Sequence, residues 1–394
     1  MLLAIIVVVL GFMSVQRTTS LVVRHTAPDV AYRIGSGDAR MLAFHAERLS
    51  GSLADPDVRP QVAVSARQSL LRDPTSASAA VSLALIAEIE GRKSQASGLI
   101  NYALRMSRRD LRAHLWSIEA AVARHNVPIA LHHYDIALRT SKSAPGLLFP
   151  VLSAALSDPA IRNGVAGVLN ARPAWKDLFL NWLSSNSSDP RSAAMLFLNL
   201  TRRGVDIPWT AQASLTGALV QQGAFAEAWQ TYALSSATGD RRRSRQAAFD
   251  NVPEVPSPFD WNLPAVDGLS ASLQQGPHGI VLAYDAANGA GGVAARQLQF
   301  LPAGQYIIRG KASDVTGDVR PFWQLVCADG TELGRVILPT GTASFVGSVN
   351  VPTTCPVQWF NLSMPLVDSP EPVNGMIDRA VIEPVTARPA GRIS

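Results

Sequence analysis

The feature that most restricts how this chain can fold is a 34-residue step. Ala96, Ala130 and Gly164 keep that spacing, and so do Ile100, Tyr134 and Val168, and Ala103, Ala137 and Ala171. Offsets of zero, four and seven fall on one face of an α-helix. A face of small, large and small residues lets a second helix pack closely, and a unit of this length buries such a face only by stacking on copies of itself. After a shortened loop the register resumes at Ala194 and Leu198 and continues one period later at Ala228 and Tyr232.

Helical spacing of apolar and small residues runs from about Asp38 to Leu234, as in Val81, Leu85 and Ile89 or Leu115, Ile118 and Val122. Asp73-Pro74, Asp158-Pro159, Asp189-Pro190 and Gly223 punctuate it as turns. About five helix pairs are expected. The segment Gly223-Ala-Phe-Ala-Glu-Ala228-Trp-Gln-Thr-Tyr232 resembles the tetratricopeptide repeat family, with its turn glycine followed by Ala and aromatic positions. Leu111 to Lys142 is similar through Ala130, Tyr134 and Ala137, with His125 where the turn glycine stands. The resemblance covers half the chain and implies a TPR-like helical solenoid with a groove for protein partners. It places Arg112 and Glu119 on the first helix of their pair, which lines that groove. A solvated face is the plainer reading of both.

Beyond Thr238 the pattern changes. Pro253, Pro256, Pro258 and Pro264 mark a linker, and short strands then alternate with turns. Tyr306–Gly310, Phe322–Cys327, Ser344–Val351, Val357–Leu362 and Met376–Ile382 read as strands of an antiparallel β-sandwich or jelly roll. Asp329-Gly330 predicts a hairpin with a type I′ turn. Leu301-Pro-Ala-Gly304-Gln-Tyr306 and Met376-Ile-Asp378-Arg-Ala-Val-Ile-Glu383 resemble segments of carbohydrate-binding-module or galactose-binding-like jelly rolls. That resemblance implies a sugar-binding surface and sometimes a structural calcium. Asp378 matches its acidic position, but Arg379 stands where a second acid is usual.

With 394 residues, 47% hydrophobic and 16% charged, the chain suits two domains rather than disorder. The expected division is an N-terminal segment at 1–24, helical repeats at 25–240, a linker at 241–262, a β-sandwich at 263–386 and a disordered tail at 387–394. The formal net charge of +5 comes almost wholly from Arg. Arg241-Arg242-Arg243 with Arg245 reads as a solvated hinge, or as a contact for phosphate head groups or an acidic polymer. No nucleic-acid partner is expected.

Met1 to Val15 is apolar but for Ser14, and Arg17 is the first charge. The run is shorter than the roughly 20 residues of a spanning helix, and it lacks a basic start and an A-x-A-like site. It is expected to anchor the chain in an inner membrane facing the periplasm, or to be cleaved and leave a secreted or periplasmic protein. Leu21-Val22-Val23 extends a span only by burying Arg17. A buried N-terminal strand is the bland alternative.

Cys327 and Cys355 are the two cysteines, and in an oxidising compartment they form a candidate disulfide, with two buried thiols as the alternative. Trp323, Leu325 and Cys327 share one strand parity, and Cys355, Val357 and Trp359 share another. Bridged cysteines would place both tryptophans in the core. The opposing reading has Trp261, Tyr284, Trp323 and Trp359 offering flat faces to a sugar ring.

No nucleophile elbow, phosphate loop or zinc-protease helix is present. Asn288-Gly-Ala-Gly-Gly292 lacks the Lys and the strand-then-helix setting of a phosphate site and reads as a mobile loop. His114, His125, His132 and His133 fall in one repeat without a Cys, and are expected to be structural or solvent-exposed, with an adventitious metal site as the alternative. Asp285, Asp314, Asp318, Asp329, Glu332, Asp368, Glu371 and Asp378 show no pairing of the kind a glycoside hydrolase needs. Neither catalytic residues nor a cofactor or metal is expected. The expected function is a non-catalytic envelope scaffold that binds proteins through the helices and a glycan or protein through the sandwich, in surface-polysaccharide assembly or export. A purely structural assembly component and a divergent glycan-acting enzyme are the alternatives.

Overall fold

Aspartates start many of the helices. In the computed structural model, which describes residues 2–235, 240–368 and 371–385, the side chains of Asp38, Asp110, Asp158 and Asp189 accept backbone N–H groups of the first turn that follows each. Pro159 and Pro190 occupy first helical positions, where a missing N–H costs nothing. The helices are α1 (Leu2–Val23), α2 (Pro28–Gly35), α3 (Ala39–Leu49), α4 (Arg59–Arg72), α5 (Ala77–Ile89), α6 (Lys93–Met106), α7 (Leu111–Val122), α8 (Val127–Thr140), α9 (Ala144–Ala155), α10 (Pro159–Asn170), α11 (Lys176–Asn186), α12 (Pro190–Arg202), α13 (Trp209–Gln221) and α14 (Phe225–Tyr232). The chain divides into two compact units, 1–176 and 177–394.

In the first unit the 34-residue step is visible in burial and in turn geometry. Ala96, Ile100 and Ala103 of α6 are fully buried, and Ala130, Tyr134 and Ala137 of α8 are at most 7% exposed. Alanine at the outer two positions lets a partner helix approach while Ile100 or Tyr134 fills the space between. Gly91 and His125, themselves 34 residues apart, both turn the chain at positive φ, +76° and +53°. Histidine is among the few residues besides glycine enriched in that region, which explains how the second repeat keeps its turn. The third repeat slips. Pro159 fixes the start of α10, the helix ends at Asn170, and Ala171 falls outside it and is exposed. The buried face becomes Val165, Ala166 and Leu169.

The second unit holds α11 to α14 and nine strands: β1 (Leu269–Gly276), β2 (Gly279–Ala286), β3 (Gly292–Gln299), β4 (Gly304–Val315), β5 (Phe322–Cys327), β6 (Glu332–Ile337), β7 (Gly341–Val351), β8 (Gln358–Met364) and β9 (Val373–Pro384). In α12 the expected Ala194 and Leu198 are half-buried, and the core face is Ala193, Leu196, Phe197 and Leu200; Ala228 and Tyr232 of α14 are buried. The strands form a five-stranded sheet, β1-β2-β9-β4-β7, and a four-stranded sheet, β3-β8-β5-β6. From β2 onward the chain moves back and forth between the two, except at the β5–β6 hairpin, the topology of a jelly-roll sandwich. Its core holds Trp261, Trp323 and Phe360, with the Trp323 and Phe360 rings 4.5 Å apart.

Three expectations change here. The hairpin at Asp329-Gly330 is not type I′, because Gly330 has positive φ (+91°) and Asp329 does not. Gly330 N–H donates to the Cys327 carbonyl (2.9 Å) and Cys327 N–H to that of Thr331 (2.8 Å), the signature of a type I turn closed by a left-handed glycine. The Asn288–Gly292 loop is held, since Gly289 N–H donates to Val367 O and Val367 N–H to Ala290 O, both at 2.8 Å.

The stretch expected as a linker, 241–262, is packed. Ser244 and Ala247 bond to β9 through Ile382 and Ala380. Arg245 is 7% exposed rather than solvated. Its Nε donates to Phe259 O (2.7 Å) and its Nη2 to Leu298 O, and its guanidinium sits 5.3–5.7 Å from the rings of Trp229, Tyr232 and Phe259. The Tyr232 hydroxyl donates to Asp260 (3.0 Å). Helix α14 is thereby fixed to the sandwich, so the last helices belong to its unit. The expected tail at 387–394 lies outside the described residues.

Candidate functional site

Strand alternation gives the four-stranded sheet two faces. Trp323, Leu325 and Cys327 of β5 and Phe360, Leu362 and Met364 of β8 turn inward, none more than 5% exposed. The residues between them turn outward. In register across the sheet stand Arg296, Asn361, Gln324 and Arg335, one from each of β3, β8, β5 and β6. Trp359 flanks this row on one side, and Phe322 lies on the other, beside Ile337 at 61% exposed.

The guanidinium carbon of Arg296 lies 4.8 Å from the centre of the Trp359 ring, and that of Arg335 lies 4.6 Å from the Phe322 ring. Arg335 is also clasped by both carboxylate oxygens of Glu332, at 2.7 and 2.6 Å; this pairing holds the Glu332 carboxyl below its usual range. Gln324 donates from Nε2 to Ser363 Oγ (2.8 Å). The Asn361 side-chain oxygen is covered and has no hydrogen-bond partner. The row thus places planar guanidinium donors over aromatic rings, with the Gln324 amide and apolar surface beside them. Those are the groups that recognise vicinal hydroxyls on a flat apolar ring.

The sequence candidates are distributed unevenly. Cys327 and Cys355 are joined by a disulfide, with Cα atoms 5.7 Å apart. Trp261, Tyr284 and Trp323 are 1%, 2% and 0% exposed, so their faces meet protein and stack on no ligand. Trp359 is half-exposed on the outward face. Its expected kinship with buried Cys355 and Val357 fails because β8 begins only at Gln358. Arg112 is engaged inside the repeats by Ser78 and Ser82, 3.7 Å from Glu47. Glu119 is exposed beside a depression of about 190 Å³ shared with Glu88 and Trp116.

His114 and His133 come together, their Nδ1 atoms 3.0 Å apart. His114 Nε2 donates to the Arg108 carbonyl (3.0 Å), so its bare Nδ1 accepts from His133. Burial lowers both, His133 to about 4 with help from the neighbouring histidines. Among the described residues no three His, Cys, Asp or Glu side chains are placed to hold a metal. The calcium implied by resemblance does not fit Asp378, whose Oδ2 accepts from Ser313 (2.9 Å) beside Arg379.

Arg296, Gln324, Asn361 and Arg335 escaped the sequence reading. The alternation Trp359-x-Asn361-x-Ser363 opposite Phe322-x-Gln324 carried the signal.

No protein-family model matches the chain, and no curated protein sequence does. Among solved structures it is similar to the enzymatically active domain of bacteriophage CBA120 tailspike protein 4, at 10% identity over 36% of this chain and 21% of that one, with a TM-score of 0.27. It is also similar to a CBM4 structure, at 16% identity over 36% of this chain and 99% of that one, TM-score 0.27. A third is a CBM61 in complex with β-1,4-galactotriose, at 14% identity over 35% and 94%, TM-score 0.26. The chain thus spans about a fifth of the tailspike domain, and none of these likenesses carries a residue role across.

Proposed function

We propose that this chain is a non-catalytic, envelope-anchored scaffold whose sandwich holds a glycan on the outer face of its four-stranded sheet. The observation that carries this reading is the row Arg296, Asn361, Gln324 and Arg335 beside Trp359 and Phe322. The helices, read as a degenerate tetratricopeptide-like array, would hold protein partners, which suits a role in assembling or exporting a surface polysaccharide.

Anchoring is supported by α1, whose stretch Ile6–Val23 has a mean hydropathy of 1.7 and exposed apolar side chains. Its last turns pack on the folded unit: Ser20 is buried beside Gly35, and Gln16 donates to Ile34 O (2.6 Å). The direct test is a glycan array probed with the full chain in detergent. Retention by the wild type and its loss in Trp359→Ala/Asn361→Ala is expected; retention unchanged in that variant contradicts the reading.

A further inference from the structure

The five-stranded sheet carries an arrangement that nothing above requires. Lys311 of β4 stands directly opposite Arg379 of β9, and Arg309 follows on the same outward face. Residues so paired have Cβ atoms about 5 Å apart, and like charges there repel. Arg309 is paired with Glu383, whereas no ion pair holds Lys311 or Arg379 among the described residues.

The backbone brings these cations together. The pairing of β4 with β9 shifts between Lys311 and Ala312, so that Ala312 faces Ile377 and Asp378 becomes the extra residue of a bulge. Asp378 turns to the Ser313 hydroxyl, and Arg379 is brought out beside Lys311. A side chain at Gly310 would strike the Arg379 carbonyl oxygen and the Phe345 ring, so glycine is what permits this close approach.

Around the cations lies a depression of about 500 Å³, lined by Arg309, Lys311, Arg379, Ser344 and Val346 among others. That volume is in the range of small-ligand sites. Ser344 is opposite Lys311 on β7, and Val346, 70% exposed, is opposite Arg309. We propose that this depression binds an acidic sugar residue of the uronate class. Its carboxylate sits between Lys311 and Arg379, a ring hydroxyl meets Ser344, and the C–H face rests on Val346. A phosphate head group would satisfy the cations but leave the apolar and hydroxyl contacts without a purpose. The site lies on the sheet opposite the Trp359 face and does not depend on that face binding glycan.

The test is a calorimetric titration of the detergent-solubilised full chain with hexagalacturonate and with its carboxyl-reduced counterpart. Lys311→Gln/Arg379→Gln, with an unchanged melting temperature, is expected to weaken hexagalacturonate at least about tenfold, the equivalent of one lost charge-assisted contact. The same variant should bind the reduced oligomer as the wild type does, and Trp359→Ala should keep the charge-dependent difference between the two oligomers. Equal binding of hexagalacturonate by wild type and variant overturns the proposal, as does its failure to bind the wild type. So does a variant that loses only its affinity for phosphatidylglycerol vesicles. Failure of the Trp359 face on the glycan array touches the first reading and leaves this one standing.

Discussion

Arg296 and Trp359 form a cation–π pair on the outward side of the sandwich, guanidinium carbon to ring centre 4.8 Å, although they come from different strands. The indole lies beneath the guanidinium carbon, and Arg296 has no ion pair among the described residues to compete for it. An arginine ordered in this way binds hydroxyl or carboxylate oxygens with little further entropy loss.

Arg296→Lys keeps the charge and replaces the planar guanidinium over Trp359 with a point charge. It is expected to weaken glycan binding about fivefold, since an exposed cation–π contact contributes about 0.5–1 kcal/mol. Affinity electrophoresis in gels containing a polysaccharide retained on the array checks this, and an unchanged thermal melt shows that the fold is intact.

Arg245→Ala should destabilise the second unit by about 3 kcal/mol. It removes the bonds to Phe259 and Leu298 and opens the space between three aromatic rings. Burial lowers Arg245 to about 10, so it stays charged at neutral pH. Urea unfolding followed by tryptophan fluorescence reads the loss.

Acid should loosen the first unit before it affects the second. His133 is lowered to about 4 and His114 is lowered with it, so the unfolded chain takes up protons first. The stability they contribute is complete above pH about 6.5 and is lost as pH falls toward about 4. Scaled for partial exposure, the loss amounts to about 2 kcal/mol. Urea melts of the wild type at pH 7.5 and 5 should differ by more than those of His133→Gln; equal differences would contradict the assignment.

Opening the Cys327–Cys355 bridge frees a loop of 28 residues and should cost the sandwich about 3.5 kcal/mol. Denaturation of Cys327→Ala/Cys355→Ala beside the wild type measures it.

The helical array was legible because Ala96, Ala130 and their partners repeat, and because aspartates fix many of the helix starts. The slip at Ala171 was not, since Pro159 sets the phase of α10 locally and overrides the period. Alternation in Phe322–Cys327 marked a strand and hid the site. Trp323, the largest side chain of that strand, faces the core, while Gln324 faces out. A run of arginines reads as solvated, and only the tertiary fold brings three aromatic rings around Arg245. The like-charge pair of Lys311 and Arg379 depends on a bulge across strands 68 residues apart (379 − 311), beyond any local pattern.

The outward face of the four-stranded sheet is the centre of this account. A photoreactive residue placed at Gln324 in the full chain, crosslinked in cells that express it, tests that face most directly. Gln275, exposed on β1 of the other sheet, serves as the control position. Glycan adducts at position 324 and none at 275 are the predicted result. Adducts at 324 that contain only protein, or glycan adducts equal at both positions, would contradict it.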